Sequence, residues 1–245
     1  MKLPHSPIIE AVLDIDCDMP AQFDLSALEG RFRDLLRSKY PTFRKQFFEQ
    51  HKFESKLDSP SEHSLVRGIQ ALQFVVKDER QIVQFRSQGF SFNRLAPYST
   101  LDDYLAEIHS AWQQFVEVAA PVQVRAVRLR NINRIPLPLT NGAVMIDKYF
   151  KNSPNVDDEK LTLVGFLIHY GAIEKETNFT TNVVLAGQPP EQDKVPIILD
   201  IMAEWNGRNE VQNWSFLLDK IMALRALKNR VFHNSLTSQC LNLFQ

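Results

Sequence analysis

Four arginines lie close together in a part of the chain that carries no carboxylate. Residues 118–146 contain no Asp or Glu, and the arginines near the centre of this stretch are Arg125, Arg128, Arg130 and Arg134. Guanidinium groups bind carboxylates and phosphates through paired hydrogen bonds. The cluster therefore predicts either a set of internal ion pairs or a site for an anionic partner.

A strand over Val122–Ile135 would place Arg128, Arg130 and Arg134 on one face, because successive side chains of a strand point to opposite sides. Ile132 shares that face. The opposite face then carries Val127, Leu129, Asn131, Asn133 and Ile135.

Acidic residues that could neutralise these arginines occur in the first predicted strand, Pro7–Asp18, where Glu10, Asp14 and Asp16 share a face. Neighbouring strands lie about 4.8 Å apart, so the two rows would pair if the strands were adjacent, each exposed pair adding up to about 1 kcal/mol. The alternative is an arginine-rich surface that binds phosphates, nucleic acid or an acidic protein, to which Arg94 would also belong. Both hypotheses stay open at this point.

The chain contains no complete catalytic motif. It has no glycine-rich phosphate loop and no Gly-x-Ser-x-Gly, and its six histidines lack metal-ligand spacing, so we expect neither a cofactor nor a metal. Cys17 and Cys240 are predicted to pack as small apolar side chains. His233, at the end of a predicted helix, is expected to be an imidazolium that interacts favourably with the helix dipole.

Composition is that of a folded, water-soluble protein. Of 245 residues, 44% are hydrophobic and the net charge is −1, which argues against a surface that binds nucleic acid as a whole but leaves a local basic groove open. No run approaches the roughly 20 apolar residues of a membrane helix, and the N-terminus lacks the pattern of a signal peptide. We therefore expect a cytoplasmic protein that does not engage a membrane.

The periodicity of apolar residues predicts two units of similar order, each a strand, a helix, several strands and a helix. The strands of the first unit are Pro7–Asp18, Phe43–Ser55, Val66–Lys77, Gln81–Arg86 and Phe90–Leu95, with a polar loop over Lys56–Ser64. Its helices begin at a capping box of Ser26 and Glu29 and at Ser99–Asp103, and end before Pro41 and Pro121.

The second unit follows the same order. Its strands are Val122–Ile135, Leu161–Ala172, Glu174–Leu185 and Pro196–Trp205; its helices are Val144–Phe150 and Val211–His233, with a last turn capped by Thr237.

These elements predict an α+β fold in which one large, mostly antiparallel sheet is built from both units and the long helices pack on one face. We treat 1–245 as a single domain, with an internal duplication of 1–121 and 122–245 as a hypothesis. The helix Val211–His233 is apolar beyond one stripe, which predicts a homodimer through this C-terminal helix.

Five segments resemble, in order, a family of uncharacterised, sporadically distributed prokaryotic proteins. They are Ser6–Ile15, Phe90–Tyr98, Arg130–Ile135, Pro196–Ile201 and Phe232–Thr237. The family pattern has an aromatic residue where this chain has Asn131. The resemblance implies an accessory role, such as phage defence or a toxin and antitoxin system, in a bacterial cell.

The preferred hypothesis is a non-enzymatic binding protein that recognises a partner protein or an anionic ligand, with Arg128, Arg130, Arg134 and Arg94 as candidate contacts. The first alternative is a nucleic-acid or nucleotide-binding component of a defence system. The second is an enzyme whose site is assembled only in three dimensions.

Overall fold

The described part of the chain forms nine strands, most of them amphipathic, with apolar and polar side chains in alternation. The computed structural model describes residues 3–56, 59–139, 144–154, 156, 158, 160–161 and 163–245. The strands are β1 (Ile8–Asp18), β2 (Thr42–Lys56), β3 (Ser59–Val75), β4 (Gln81–Arg86), β5 (Gly89–Leu95), β6 (Gln123–Pro138), β7 (Leu167–Ile173), β8 (Thr180–Gly187) and β9 (Lys194–Asn209).

In the described chain, some helices lie between groups of strands and the others follow the last strand. They are α1 (Glu29–Leu36), α2 (Leu105–Ala119), α3 (Trp214–Ser235) and α4 (Ser238–Asn242), with single 3-10 turns at Leu101–Tyr104 and Ile146–Lys148. Within the described residues, no helix is both long and apolar enough to cross a lipid bilayer.

All nine strands join one antiparallel sheet, in the order β2-β3-β4-β5-β1-β6-β9-β8-β7. The predicted α+β class with a large antiparallel sheet is therefore confirmed. The strands β1 and β6 lie next to each other at the centre, with Asp14 opposite Arg128. The central pair thus brings together the acidic and the basic row that the sequence predicted.

One face of the sheet is apolar and is covered by helices. Leu13 and Ile15 of β1 and Val127 of β6 are buried there with Trp112 of α2 and Leu217 of α3 in a single cluster. Strands with one buried and one open face show this alternation of apolar and polar residues. The opposite face, which carries the charged residues, is open.

A second, smaller cluster lies beyond the middle of the sheet and is covered by the end of α3 and by α4. Cys240 belongs to it, whereas Cys17 belongs to the larger cluster. Both thiols are buried and unpaired, which confirms that they pack as small apolar side chains. Thr237 caps α4 as predicted, accepting a hydrogen bond from the backbone N–H of Cys240 at 3.3 Å.

Several local predictions are wrong, among them two in the first unit. The hydroxyl and the N–H of Ser26 both donate to Asp24, at 2.6 and 2.8 Å, so Ser26 does not cap the helix, which begins only at Glu29. The segment Lys56–Ser64 is not a loop in its described part, because β2 extends to Lys56 and β3 starts at Ser59. The polar composition of this segment gave no apolar alternation from which the strands could be predicted.

Candidate functional site

The arginines of the central strands lie on the open face in a row of alternating charges. Arg128 of β6 donates from Nη1 to Asp16 at 2.6 Å and from Nε to Glu204 of β9 at 2.6 Å. On the other side of β1, Arg86 of β4 donates to Asp16 at 2.7 Å. The row therefore spans five neighbouring strands, from β4 across β5, β1 and β6 to β9, with each of these arginines placed against a carboxylate.

Asp16 is the centre of this row and is only 4% exposed. Burial by itself opposes its ionisation, but the positive charge of Arg86 and the hydrogen bonds from Arg128 and Arg86 outweigh burial and hold the pKa of Asp16 below its ordinary value. Asp16 is thus an ionised, nearly buried carboxylate that accepts hydrogen bonds from two guanidiniums and lies 3.8 Å from a third, that of Arg125.

The other predicted residues of this face find different partners. Arg130 binds Asp200 of β9 through two nitrogens, and Arg134 pairs with Glu191. Asp14 lies 3.6 Å from Arg86, and Glu10 accepts a hydrogen bond from Asn93 at 2.7 Å. Much of the acidic charge thus comes from β9 and the loop before it.

Arg94 does not share this face. It stands opposite Ala11 on β5, on the helix-covered side of the sheet, and its guanidinium lies 5.2 Å from the centre of the Tyr104 ring. Phe90 and Phe92 of the same strand are buried in the larger apolar cluster. These aromatic rings serve the core, and Arg94 is separated from Arg128 by the sheet itself.

A cavity of about 510 Å³ interrupts the core on the helix-covered side, in the region between the two apolar clusters. Its floor is β6, where Asn131 and Asn133 take inward positions between the buried Leu129 and Ile135. Asn133 donates to the carbonyl of Leu199 at 2.8 Å and is fixed by the sheet. The two asparagines make a polar patch between buried apolar residues of β6.

Lys228 of α3 lies above this patch and is only 5% exposed. In the amide orientation that satisfies both of its ends, Asn131 accepts from Lys228 Nζ at 2.7 Å and donates to the carbonyl of Arg130 at 2.9 Å. The ammonium also donates to Asn229 at 3.1 Å. Both partners are neutral, and no carboxylate among the described residues pairs with Lys228.

This environment disfavours the charged form of Lys228. Burial, together with the positive charge of Arg225, lowers the pKa of its amine from the ordinary 10.5 to about 7. A fully buried ammonium without a counter-ion is costly, and proteins pair such groups or bind an anion beside them.

The rest of the cavity wall is also rich in positive charge. Arg225 binds Asp102 through two hydrogen bonds of 2.8 and 2.9 Å, and Arg230 pairs with Glu174, which does not line the cavity. Three basic side chains, Arg225, Lys228 and Arg230, therefore line the space together with one described carboxylate, Asp102.

Two further titratable groups line the cavity. Burial raises the pKa of Tyr98 to about 12 and lowers the pKa of His233 below its usual value. This lowered pKa runs against the imidazolium that the sequence predicted at His233, because burial disfavours the charged form of the ring. In the described part of the chain, no three His, Cys, Asp or Glu side chains converge as metal ligands do.

Sequence reasoning placed Asn131 and Asn133 on the inner face of the strand but did not identify Lys228. The signal was present, since Leu217, Ile221 and Leu224 form the apolar stripe of α3 and Lys228 takes the next position on it. A lysine on the buried stripe of a helix, facing asparagines on the buried face of a strand, is the pattern that marks this cavity.

Comparisons of the chain with models of known protein families, with curated proteins and with solved structures gave no match.

Proposed function

We propose that this protein binds a small anionic ligand in the cavity around Lys228. The observation that carries the proposal is the buried ammonium of Lys228, which has amide partners and a neighbouring guanidinium but no carboxylate partner among the described residues. A ligand carboxylate or phosphate would supply the missing charge. The cavity volume of about 510 Å³ is within the range of small-molecule sites.

The open face supports this choice over a binding site at the arginine row. There, Arg128 and Arg130 already contact carboxylates, so an external anion would have to displace Asp16 or Asp200. The sequence also predicted that a partner protein or nucleic acid is recognised by Arg128, Arg130, Arg134 and Arg94. This stays a prediction, and nothing in the geometry favours it.

Calorimetric titration with sulfate, succinate and AMP tests the proposal. Sulfate and succinate keep nearly constant charge from about pH 6.5 to 8.5, whereas the amine of Lys228 loses its proton. At least one probe should bind, and for sulfate or succinate the affinity should fall about 25-fold over this range as the protonated fraction falls.

The matched variants are Lys228→Met and Lys220→Met, which remove the same charge from the same helix. Lys220 lies over the ring of Phe216, outside the cavity. Lys228→Met should weaken binding by about 100-fold or more, because an anion would lose its buried partner, and Lys220→Met should leave it unchanged. Absence of binding by all three probes, or equal effects of the two substitutions, would refute the proposal.

Enzymatic activity at the same site is the alternative, because an amine with a pKa near neutrality is suited to proton transfer. A probe released in altered chemical form, detected by NMR of the titrated sample, would favour an enzyme over a binding protein.

The strand order also supports the duplication hypothesis. From the central pair outwards, the order is β1-β5-β4-β3 on one side and β6-β9-β8-β7 on the other. Along the chain, α2 follows the strands of the first unit and α3 follows those of the second. We propose that 1–121 and 122–245 derive from one ancestral unit, with β2 as an addition to the first. In this arrangement the cavity lies near the junction of the two units.

We also propose that the protein belongs to the sporadically distributed prokaryotic family, that it is cytoplasmic, and that it has an accessory or phage-defence role. The support for these proposals is the resemblance of the five sequence segments. A small-ligand site would suit a sensor in such a system.

A further inference from the structure

The strand β7 is an open edge of the sheet. Its inner side pairs with β8, and no backbone hydrogen bond among the described residues reaches its outer side. Leu167 and Ile173, its two ends, are 71% and 66% exposed. An edge strand with unpaired N–H and C=O groups and exposed apolar side chains is a template for pairing with another strand.

The two edges of this sheet differ in charge. At the opposite edge, β2 has six charged residues among its fifteen, which is how natural sheets prevent unwanted pairing. In contrast, residues 161–173 contain no Asp, Glu, Lys or Arg. Just before β7, Val164 is 98% exposed and extends the apolar surface. The β7 edge lacks the charges that protect the β2 edge.

The sequence of β7 is complementary to itself. In an antiparallel pair of two copies related by a two-fold axis at Tyr170, Leu167 of one copy lies opposite Ile173 of the other, and His169 lies opposite Gly171. These four residues occupy alternate positions and share the open face of the sheet. The contact between Leu167 and Ile173 therefore occurs twice, once on each side of the axis. The pairing brings no two charged residues of β7 together.

We infer that a second copy of this chain pairs with β7, so that two sheets join edge to edge in a symmetric dimer. This interface differs from the C-terminal helix considered from the sequence, where Met222 of α3 is 38% exposed. The edge offers backbone hydrogen bonds in addition to apolar contacts, whereas the helix offers side chains alone.

Light scattering coupled to size-exclusion chromatography of the full chain at about 1 to 50 µM tests the inference. Wild-type protein should have twice the mass of one chain. The double variant Leu167→Lys, Ile173→Lys should be monomeric, since it places charges on both ends of the pairing strand. The control Met222→Lys, on α3, should remain dimeric.

Hydrogen exchange of wild-type protein provides a measurement that does not depend on the folding of a variant. Amides of residues 167–173 should gain protection as the concentration rises, whereas those of β2 should not. A monomeric wild type, a dimer that persists in the Leu167→Lys, Ile173→Lys variant, or a dimer lost in Met222→Lys would overturn the inference.

Discussion

Replacing Lys228 with Met should remove a pH dependence from the stability of the fold. The amine titrates at about pH 7 in the folded protein and at its ordinary 10.5 in the unfolded chain. Between these values the unfolded state binds a proton that the folded state does not, so stability rises with pH across this window and is constant below it. Methionine has no such proton and nearly the same length.

The size of the effect follows from the two pKa values. From about pH 7 to pH 9 the wild type should gain about 2 kcal/mol in unfolding free energy relative to Lys228→Met. Groups facing the same cavity contribute little to this difference, because the lowered pKa of His233 and the raised pKa of Tyr98 fall outside the window. Asp102 and Arg225 keep their charge throughout it, because their mutual hydrogen bonds lower the pKa of Asp102 and raise the pKa of Arg225.

The assay is urea unfolding of both proteins at the two pH values, followed by tryptophan fluorescence. The difference between the two pH-dependent changes isolates Lys228, since other titrating groups are common to both proteins. Stability curves that run parallel within about 0.5 kcal/mol would show that the amine is not desolvated and would refute the account of the cavity.

Two further predictions concern the open face and the core. Asp16→Asn should lower the unfolding free energy by about 3 kcal/mol in urea titrations, because Arg86 and Arg128 lose a shared, buried carboxylate. The control Asp14→Asn, at a carboxylate 3.6 Å from Arg86, should cost much less. Equal losses in the two variants would contradict the central role of Asp16. Burial raises the pKa values of the Cys17 and Cys240 thiols to about 12. Neither thiol should therefore react with Ellman's reagent at about pH 8 until the protein is unfolded. Rapid modification of either thiol in the native protein would contradict their burial.

The charged row shows how far pattern reasoning reaches. Alternation along β1 and β6 correctly separated Asp14 and Asp16 from Leu13, and Arg128 from Val127, because the two-residue period is a local property. The partners of Arg130 and Arg134 were not predictable in the same way. Asp200 and Glu191 come from β9 and its preceding loop, whose place beside β6 no local pattern specifies.

The sequence by itself determined the spacing of apolar residues in each element, and therefore which residues share a face. It indicated which side of β6 carries the arginines, which side of α3 is apolar, and that Asn131 points inward. Only the tertiary structure decided that α3 lies across β6, so that Lys228 meets Asn131 and the core opens into a cavity there. The physical reason is that periodicity is set by the geometry of one element. Contacts between distant elements depend on chain closure and on packing of the whole sheet.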